Sequence, residues 1–444
     1  MSFRKSIITT LGLNIYTFII GFFNSIISTR ILGAEGKGLF AIYTSSIELF
    51  ALVIGLGVPQ ALIFFAAKDE ISRSRLFYSS FLYITISSVL FLLIVACSSW
   101  FGFQSFFLPE PFTSNIYVIM IAVNFFGLLG WYFFISILNG HKFFPQTNLV
   151  SFLTISLTFL FYIGLLLIPS KEGEYRANTF YVIQVAVSLF TVGITLYFHK
   201  KLLGKVTPEL VSGNEAGSVI RYGIVYYVSG FLLFGNSKMD YWFVNYFHGP
   251  HDLGIYVLSS NIALLMLLFP NAAGLVLSAF KAKSDVEDME SRTAFLCRLT
   301  TFITVAASIF LWFLGEFLIV LVYGEEFRES AFVLRILLLG VIPFSVFTLL
   351  KNYFAGANDL RSFLIASAIG FALTLVLDVA LIKPFGIMGA AVATVVAYLS
   401  SAFYLIFVFS KKTGIPILNV LLFNRHDYLY TKELISGLIK RRFP

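Results

Sequence analysis

The sequence predicts an all-α polytopic membrane protein with twelve transmembrane helices in two pseudo-symmetric six-helix lobes. Hydrophobic residues make up 58% of the 444 positions and charged residues only 12%, whereas soluble domains carry about 25% charged residues. Apolar runs of 18 to 25 residues recur along the chain, and each could cross a hydrocarbon core of about 30 Å as a helix. The runs are continuous, whereas barrel strands would alternate in polarity. A repeat at a fixed offset indicates the two lobes.

The predicted spans begin and end at charge clusters and loop residues. The first follows "MSFRK" and has no small-residue cleavage site, so we interpret it as a retained helix rather than a signal peptide. The twelve spans are residues 6–29, 39–66, 76–100, 115–139, 149–168, 179–199, 221–247, 253–280, 295–322, 331–350, 362–382 and 386–410.

The basic residues predict the orientation of these spans. Of the 31 Lys and Arg, 23 lie at the N-terminus, in the even-numbered connections and in the C-terminal tail, and six lie in the odd-numbered connections. The positive-inside bias then places both termini in the cytoplasm. The net charge of +8 is mainly topological. Because the basic residues are scattered over short loops, no nucleic-acid partner is expected.

A repeat divides the predicted helices into two sets. "LGAEGKGLF" and "HGPHDLGIY" share Gly33/Gly249 and Gly38/Gly254, each pair 216 residues apart, and a third glycine pair follows at Gly140/Gly356. Duplicated bundles related by an axis along the membrane normal are common in transporters. We therefore predict an N-terminal lobe at 1–199, a cytoplasmic linker at 200–220, a C-terminal lobe at 221–410 and a cytoplasmic tail at 411–444.

A charge pair lies inside the seventh span, in "GNSKMDYW". Lys238 and Asp240 are about 200° apart on a helix, whereas Asn236 and Asp240 share a face. The repeat aligns Asp240 with Asn24. We assign Asn24, Asn236 and Asp240 to an interlobe cavity, with Lys238 directed elsewhere; the alternative is that Asn24 and Asp240 brace the outer ends of their helices.

Three motifs resemble one family of transporters. "RILGAEGKGLFAIY" lies near the start, and "KMDYWFVNYFHGPHDLGIYVLSSNIALLMLLFPNAAGLVLSAF" resembles the family's seventh and eighth helices through Asp240, Gly254, Tyr256 and Pro270. "FGIMGAAVATVVAYLSS" resembles its last-helix signature through Gly386, Gly389, Ala390, Ala391 and Thr394. Together they resemble the polysaccharide (Wzx-type) flippases of the multidrug/oligosaccharidyl-lipid/polysaccharide exporter superfamily.

The resemblance implies a fold and a function. It implies a MATE-like fold around a central cavity. It also implies that the protein flips a polyprenyl-diphosphate-linked oligosaccharide repeat unit to the outer leaflet by alternating access, for capsule or lipopolysaccharide assembly. The expected partners are undecaprenyl-diphosphate-linked oligosaccharide and membrane lipids, with glycan polymerase, glycosyltransferases, H⁺ and Na⁺ as further candidates. The expected location is the plasma (inner) membrane.

Such a substrate needs cations for its diphosphate and polar groups for its sugars. The candidate substrate-binding residues are Arg30, Asn24, Asn236, Asp240, Asn261, Arg335 and Lys238. Glu48 and Asp378 are candidates for ion coupling, because a carboxylate inside a span is costly unless it is protonated, paired or in contact with water.

Other interpretations of these residues stay open. Arg30 either binds the ligand or extends to the headgroups. Arg335 could reach the outer interface or pair with Glu326 or Glu329, and Asp378 could have a structural hydrogen-bonding role. A MATE-like antiporter of small organic cations and a non-transporting scaffold remain alternative functions. No motif supports an enzyme, and we expect no cofactor and no metal site.

Overall fold

The computed structural model describes residues 3–100, 114–167, 173–204, 206–282, 289–423 and 427. All regular secondary structure in these residues is helical. Nine helices in the described part of the chain are long and apolar enough to cross a membrane. The all-α membrane fold is therefore confirmed.

The helices are named here in chain order. They are α1 (Phe3–Gly55), α2 (Val58–Lys68), α3 (Arg73–Trp100), α4 (Asn115–Gly140), α5 (Phe144–Leu167), α6 (Gly173–Leu203), α7 (Gly213–Leu265), α8 (Leu268–Ala282), α9 (Met289–Tyr323), α10 (Ser330–Gly356), α11 (Leu360–Thr413) and α12 (Ile417–Leu421), with a 3₁₀ turn at Glu325–Phe327.

Three of the long helices are broken by a glycine. Gly33 in α1, Gly249 in α7 and Gly386 in α11 have φ of 65°, 85° and 59°, a backbone region that only glycine enters without strain. Each break divides its helix into a first and a second arm. If each arm crosses the membrane once, the nine helices supply the twelve predicted spans; that count stays a prediction.

The chain divides into two compact units, Met1–Phe234 and Gly235–Pro444, and the division falls within α7. The segment 200–220, predicted as an interlobe linker, lies inside the first unit. There the backbone amides of Thr207 and Val211 donate to the hydroxyls of Ser74 and Ser79 on α3, at 3.2 and 2.9 Å. The predicted lobe boundaries stay predictions.

The structure supports the 216-residue repeat beyond the sequence matches. Gly33 and Gly249, which are equivalent in the repeat, both break a helix. Gly140 and Gly356 end α4 and α10, and two residues later Lys142 and Asn358 both have positive φ, 64° and 57°. The two units therefore share helix breaks and helix ends at equivalent positions.

Each unit is organised around one central helix. In the first unit α4 packs against α2, α3 and α6, and in the second α10 packs against α8, α9 and α11. On α9 the exposed side chains of Phe310, Phe313 and Phe317 follow one face. A continuous exposed apolar face of this kind is typical of contact with lipid.

A glycine contact joins the α1–α2 connection to the first arm of α7 within the first unit. Gly57 has φ of 68°, and a Cβ atom built on it would lie 2.1 Å from the carbonyl oxygen of Gly223. A side chain at residue 57 would therefore both strain the backbone and separate the two helices.

Candidate functional site

Polar side chains gather in two places, one in each unit. The first is an open cavity of about 450 Å³ lined by α1, α4, α5 and α6, which we call the N-cavity. Its lining residues are Thr17, Asn24, Tyr43, Thr44, Ile47, Glu48, Asn124, Gly127, Leu128, Trp131, Ser151, Thr154, Ile155, Thr158, Gln184, Val187, Ser188 and Thr191.

Helical spacing explains why these residues line one cavity. Three helices contribute residues at i, i+3, i+4 and i+7, which fall on one face of a helix. The contributing sets are 124, 127, 128 and 131 on α4, 151, 154, 155 and 158 on α5, and 184, 187, 188 and 191 on α6. Each helix therefore has a face of mixed polarity toward the N-cavity, although its overall composition is apolar.

The polar side chains of the N-cavity are partly bonded to one another. Asn124 donates to the hydroxyl of Tyr43, and the hydroxyls of Thr154 and Thr191 lie 3.0 Å apart. Asn24 donates through Nδ2 to the carbonyl oxygen of Ile155 at 3.4 Å. Its Oδ1 atom is buried, with no hydrogen-bond partner among the described residues. The N-cavity thus retains unused hydrogen-bonding capacity in its wall.

Glu48 borders two cavities of the first unit. Besides the N-cavity, it lines a cavity of about 370 Å³ formed with Gln60, Tyr132, Tyr226 and Tyr227. The sequence predicted a carboxylate that is protonated, paired or in contact with water. Its position at two cavities favours contact with water, while its role in ion coupling stays a prediction.

The second polar site is a buried cluster in the second unit, which we call the C-cluster. It consists of Asn236, Asp240, Tyr256, Thr374, Asp378 and Thr394, none of which is more than 6% exposed. Both arms of α7 and both arms of α11 contribute to it. The glycine breaks place each pair of arms so that residues distant in sequence meet.

Hydrogen bonds connect most of the C-cluster. The hydroxyl of Tyr256 donates to Oδ2 of Asp240 and lies 3.0 Å from Oγ1 of Thr394, which is 3.4 Å from the same carboxylate oxygen. Thr374 donates to Oδ1 of Asn236 at 3.0 Å. Asp240 is therefore fixed by hydroxyl donors from two different helices.

Asp378 is the least compensated member of the C-cluster. Its side chain is 0% exposed, and neither carboxylate oxygen has a hydrogen-bond partner among the described residues. Asp240 and Asp378 are close enough for electrostatic repulsion. No Lys or Arg in the described part of the chain forms an ion pair with either. Two buried carboxylates without a basic partner require a proton or a bound cation, because each uncompensated charge costs several kcal/mol.

The placement of Asn236 and Asp240 bears on the predicted interlobe cavity. They share a helix face, as expected, and Lys238 is more exposed than either. Both are only 4% exposed, however, and their hydrogen-bond partners belong to the second unit. Hydroxyl groups on α7 and α11 bond to this polar face within the second unit, and its assignment to an interlobe cavity stays a prediction.

The remaining candidates lie apart from these two sites. Arg30 and Asn261 are exposed, and Lys238 is half-buried. Arg335 lies 3.5 Å from Glu316 and donates to the carbonyl oxygen of Trp312 at 3.2 Å. Arg335 thus pairs with Glu316 of α9 and with neither Glu326 nor Glu329 among the described residues. The substrate-binding roles of these residues stay predictions.

Several residues of both sites were not among the sequence candidates. Tyr43 and the Ser and Thr residues of the N-cavity were absent, and so was Thr374 of the C-cluster. The available signal was the repetition of small hydroxyl residues at intervals of three and four, as at Ser151, Thr154 and Thr158. That spacing marks a polar helix face even where no charged residue is present.

The chain matches two protein-family models. The model described as "Polysaccharide biosynthesis protein" matches residues 3–277, which is more than half of the chain. The model described as "Lipid II flippase MurJ" matches residues 257–439. The two matches together cover both units.

Two curated relatives share part of the sequence. "Probable low-salt glycan biosynthesis flippase Agl15" of Haloferax volcanii is 25% identical over 195 residues, 43% of this chain and 41% of that protein. "Probable lipid II flippase MurJ" of Thermotoga maritima is 28% identical over 166 residues, 36% of this chain and 35% of that protein. The chain thus matches about two fifths or less of the length of each relative.

Two solved structures share the fold over nearly the whole chain. "Lipid II flippase MurJ, inward closed conformation" has a TM-score of 0.70 at 18% identity and covers 93% of this chain and 89% of its own. An inward-facing multidrug resistance MATE family transporter of the MOP superfamily has a TM-score of 0.65 at 16% identity. The match covers 92% of this chain and 99% of the transporter chain. At these identities the likeness establishes the fold alone.

Proposed function

We propose, from the premise that this chain belongs to the Polysaccharide biosynthesis protein family, that it is a flippase for a lipid-linked oligosaccharide. The substrate would be a polyprenyl-diphosphate-linked repeat unit, moved from the inner to the outer leaflet of the plasma membrane by alternating access. The observation that carries the proposal is the family match over residues 3–277. The names of the two curated relatives, both flippases, support it.

The chemistry of the interior is compatible with this task. A diphosphate and its sugars must avoid hydrocarbon, whereas the polyprenyl chain is soluble in it. The N-cavity supplies amides and hydroxyls within a bundle of apolar helices. Arg30 and Lys238 remain our candidates for the diphosphate, because neither is buried and both are cations able to form charge-assisted hydrogen bonds.

We assign ion coupling first to the C-cluster. Asp240 and Asp378 together require a proton or a cation such as Na⁺, for the reasons given above. Release of that ion would leave two buried carboxylates uncompensated. Whether the ion is bound would therefore determine which arrangement of the broken helices is stable. Glu48 is a second candidate for coupling in the first unit.

Ligand-dependent stability tests the substrate class. Undecaprenyl diphosphate carrying a disaccharide should stabilise the purified chain in detergent, by about 2.7 kcal/mol when its concentration is a hundred times the dissociation constant. The organic cation tetraphenylphosphonium, at matched saturation, should give no shift of the unfolding midpoint. Stabilisation by tetraphenylphosphonium and not by the glycolipid would contradict the proposal and favour the antiporter of organic cations.

A further inference from the structure

Several hydroxyl groups of the N-cavity are available to a ligand mainly as acceptors. The hydroxyls of Thr44, Thr158 and Ser151 each donate to a carbonyl oxygen of their own helix, at 2.9, 2.9 and 3.3 Å. A hydroxyl that uses its hydrogen in this way keeps its oxygen lone pairs for another group. These three residues therefore add acceptors, and not free donors, to the cavity wall.

The other polar groups add both kinds of group, because the amides of Asn24, Asn124 and Gln184 each have a second N–H besides the one that is bonded. Asn24 uses its Nδ2 group on the Ile155 carbonyl and keeps a buried Oδ1 atom for which the described residues provide no partner. The carboxylate of Glu48 is a further acceptor on the same cavity. A ligand of the N-cavity therefore needs hydrogen-bond donors for these oxygens and can also accept from the remaining N–H groups.

The N-cavity also has a ring surface. Trp131 lies in its wall beside Leu128, on the same face of α4, and Ile47 lies on the second arm of α1. The indole Nε1 atom is buried without a hydrogen-bond partner among the described residues. Trp131 can thus offer both a flat apolar face and one N–H donor.

A sugar residue combines the properties that this wall requires. Its hydroxyl groups are donors, its ring oxygens accept, and its C–H faces pack on an indole ring. A diphosphate offers only acceptor oxygens and negative charge, which cannot satisfy the Oδ1 atom of Asn24 or the carboxylate of Glu48. The volume of about 450 Å³ lies within the range of small-molecule sites, roughly 300–1,000 Å³.

We propose that the N-cavity is a glycan subsite that holds a sugar residue of the substrate, separate from the groups that bind the diphosphate. The inference rests on the proposed function and extends it, because it names the part of the substrate that the first unit recognises. Asn24 and Trp131 are then specificity-determining residues for the sugar. Neither should contribute to binding of the diphosphate.

The test compares two ligands that differ only in the sugar. Binding of undecaprenyl diphosphate and of undecaprenyl diphosphate disaccharide is measured on the purified full chain by native mass spectrometry. The variants are Asn24→Ala and Trp131→Phe, singly and together, so that the conservative Trp131→Phe remains informative if Asn24→Ala folds poorly. Leu160→Ala is the control, because Leu160 lies on α5 with 63% of its side chain exposed.

The wild-type chain should bind the glycosylated lipid at least about tenfold more tightly than the bare lipid, equivalent to ~1.4 kcal/mol. The double variant should lose that preference and keep its affinity for the bare lipid, and Leu160→Ala should keep both. A preference that survives in the double variant would overturn the glycan subsite and leave the flippase proposal intact. Failure of the wild-type chain to bind either lipid would overturn both. A third outcome is that the wild-type chain binds tetraphenylphosphonium, and the double variant loses that binding but keeps its preference for the glycosylated lipid. That outcome would identify an organic-cation site instead.

Discussion

The hydroxyl of Tyr256 provides the sharpest test of the C-cluster. Tyr256→Phe removes one oxygen from a side chain that is 0% exposed and leaves the ring in place. The hydroxyl donates to Oδ2 of Asp240, so its loss withdraws a donor from the carboxylate. Thr394, at 3.4 Å, is then the remaining hydroxyl close to that oxygen.

The size of the effect depends on the charge of Asp240. A hydrogen bond to a charged group is worth about 1.5–3 kcal/mol and one between neutral groups about 0.5–1.5 kcal/mol. Asp240→Asn keeps the shape of the side chain and removes the charge. If Asp240 is ionised, Tyr256→Phe should therefore cost roughly 1–2 kcal/mol more in the wild-type background than in the Asp240→Asn background.

The assay is a double-mutant cycle of unfolding free energies in mixed micelles titrated with sodium dodecyl sulfate. Tyr323→Phe is the control, since Tyr323 is buried on α9 and its hydroxyl has no hydrogen bond to the described residues. Its cost should be the same in both backgrounds. Equal costs of Tyr256→Phe in the two backgrounds would refute an ionised Asp240 held by this hydroxyl.

Three further predictions concern other parts of the chain. Glu48→Gln should slow translocation in proteoliposomes and leave the yield and monodispersity of the protein unchanged; a rate that matches the wild type at every external pH and sodium concentration would make Glu48 a packing residue. Gly57→Ala should lower the unfolding midpoint by at least the equivalent of about 1 kcal/mol. The new Cβ would lie 2.1 Å from a carbonyl oxygen of α7, and the φ of residue 57 is positive. An unchanged midpoint would show that this contact is loose. Reporters placed after residue 412 and within 200–215 should be cytoplasmic, and one within 170–177 external, and the opposite signals would reverse the predicted orientation.

The sequence was sufficient for the fold because apolar run length and glycine geometry are local properties. The equivalence of Gly33 and Gly249 at one offset predicted two related units, and both glycines break their helices with positive φ. The same local argument separated Lys238 from the face shared by Asn236 and Asp240. Side-chain periodicity on a helix depends only on spacing.

The direction of that face could not be derived in the same way. Which face of α7 packs against α11 depends on the hydrogen-bonding residues of α11. Those residues, Thr374 and Thr394, are more than 130 positions from Asn236 and Asp240 in the sequence. The pairing of Arg335 with Glu316 was not among the alternatives considered, for a related reason. Glu316 lies on the neighbouring helix α9, whereas the prediction considered acidic residues in the adjacent loop.

The N-cavity was overlooked because hydroxyl residues give a weak signal in apolar helices. Ser and Thr commonly donate to carbonyl oxygens of the preceding turn and need no other partner, as Thr158 does with Thr154. Only the coincidence of such residues on several packed helices makes a cavity. That coincidence is a property of tertiary structure.

Translocation by the purified chain tests the central proposal most directly. Proteoliposomes are loaded with undecaprenyl diphosphate bearing a fluorescent disaccharide, and the arrival of the sugar at the outer leaflet is followed by quenching with an impermeant reagent. Movement well above that in protein-free liposomes is expected. Asp378→Asn should slow it about tenfold or more, equivalent to at least ~1.4 kcal/mol in the barrier. A rate equal to that of protein-free liposomes, from protein that is folded and inserted, would contradict the proposal.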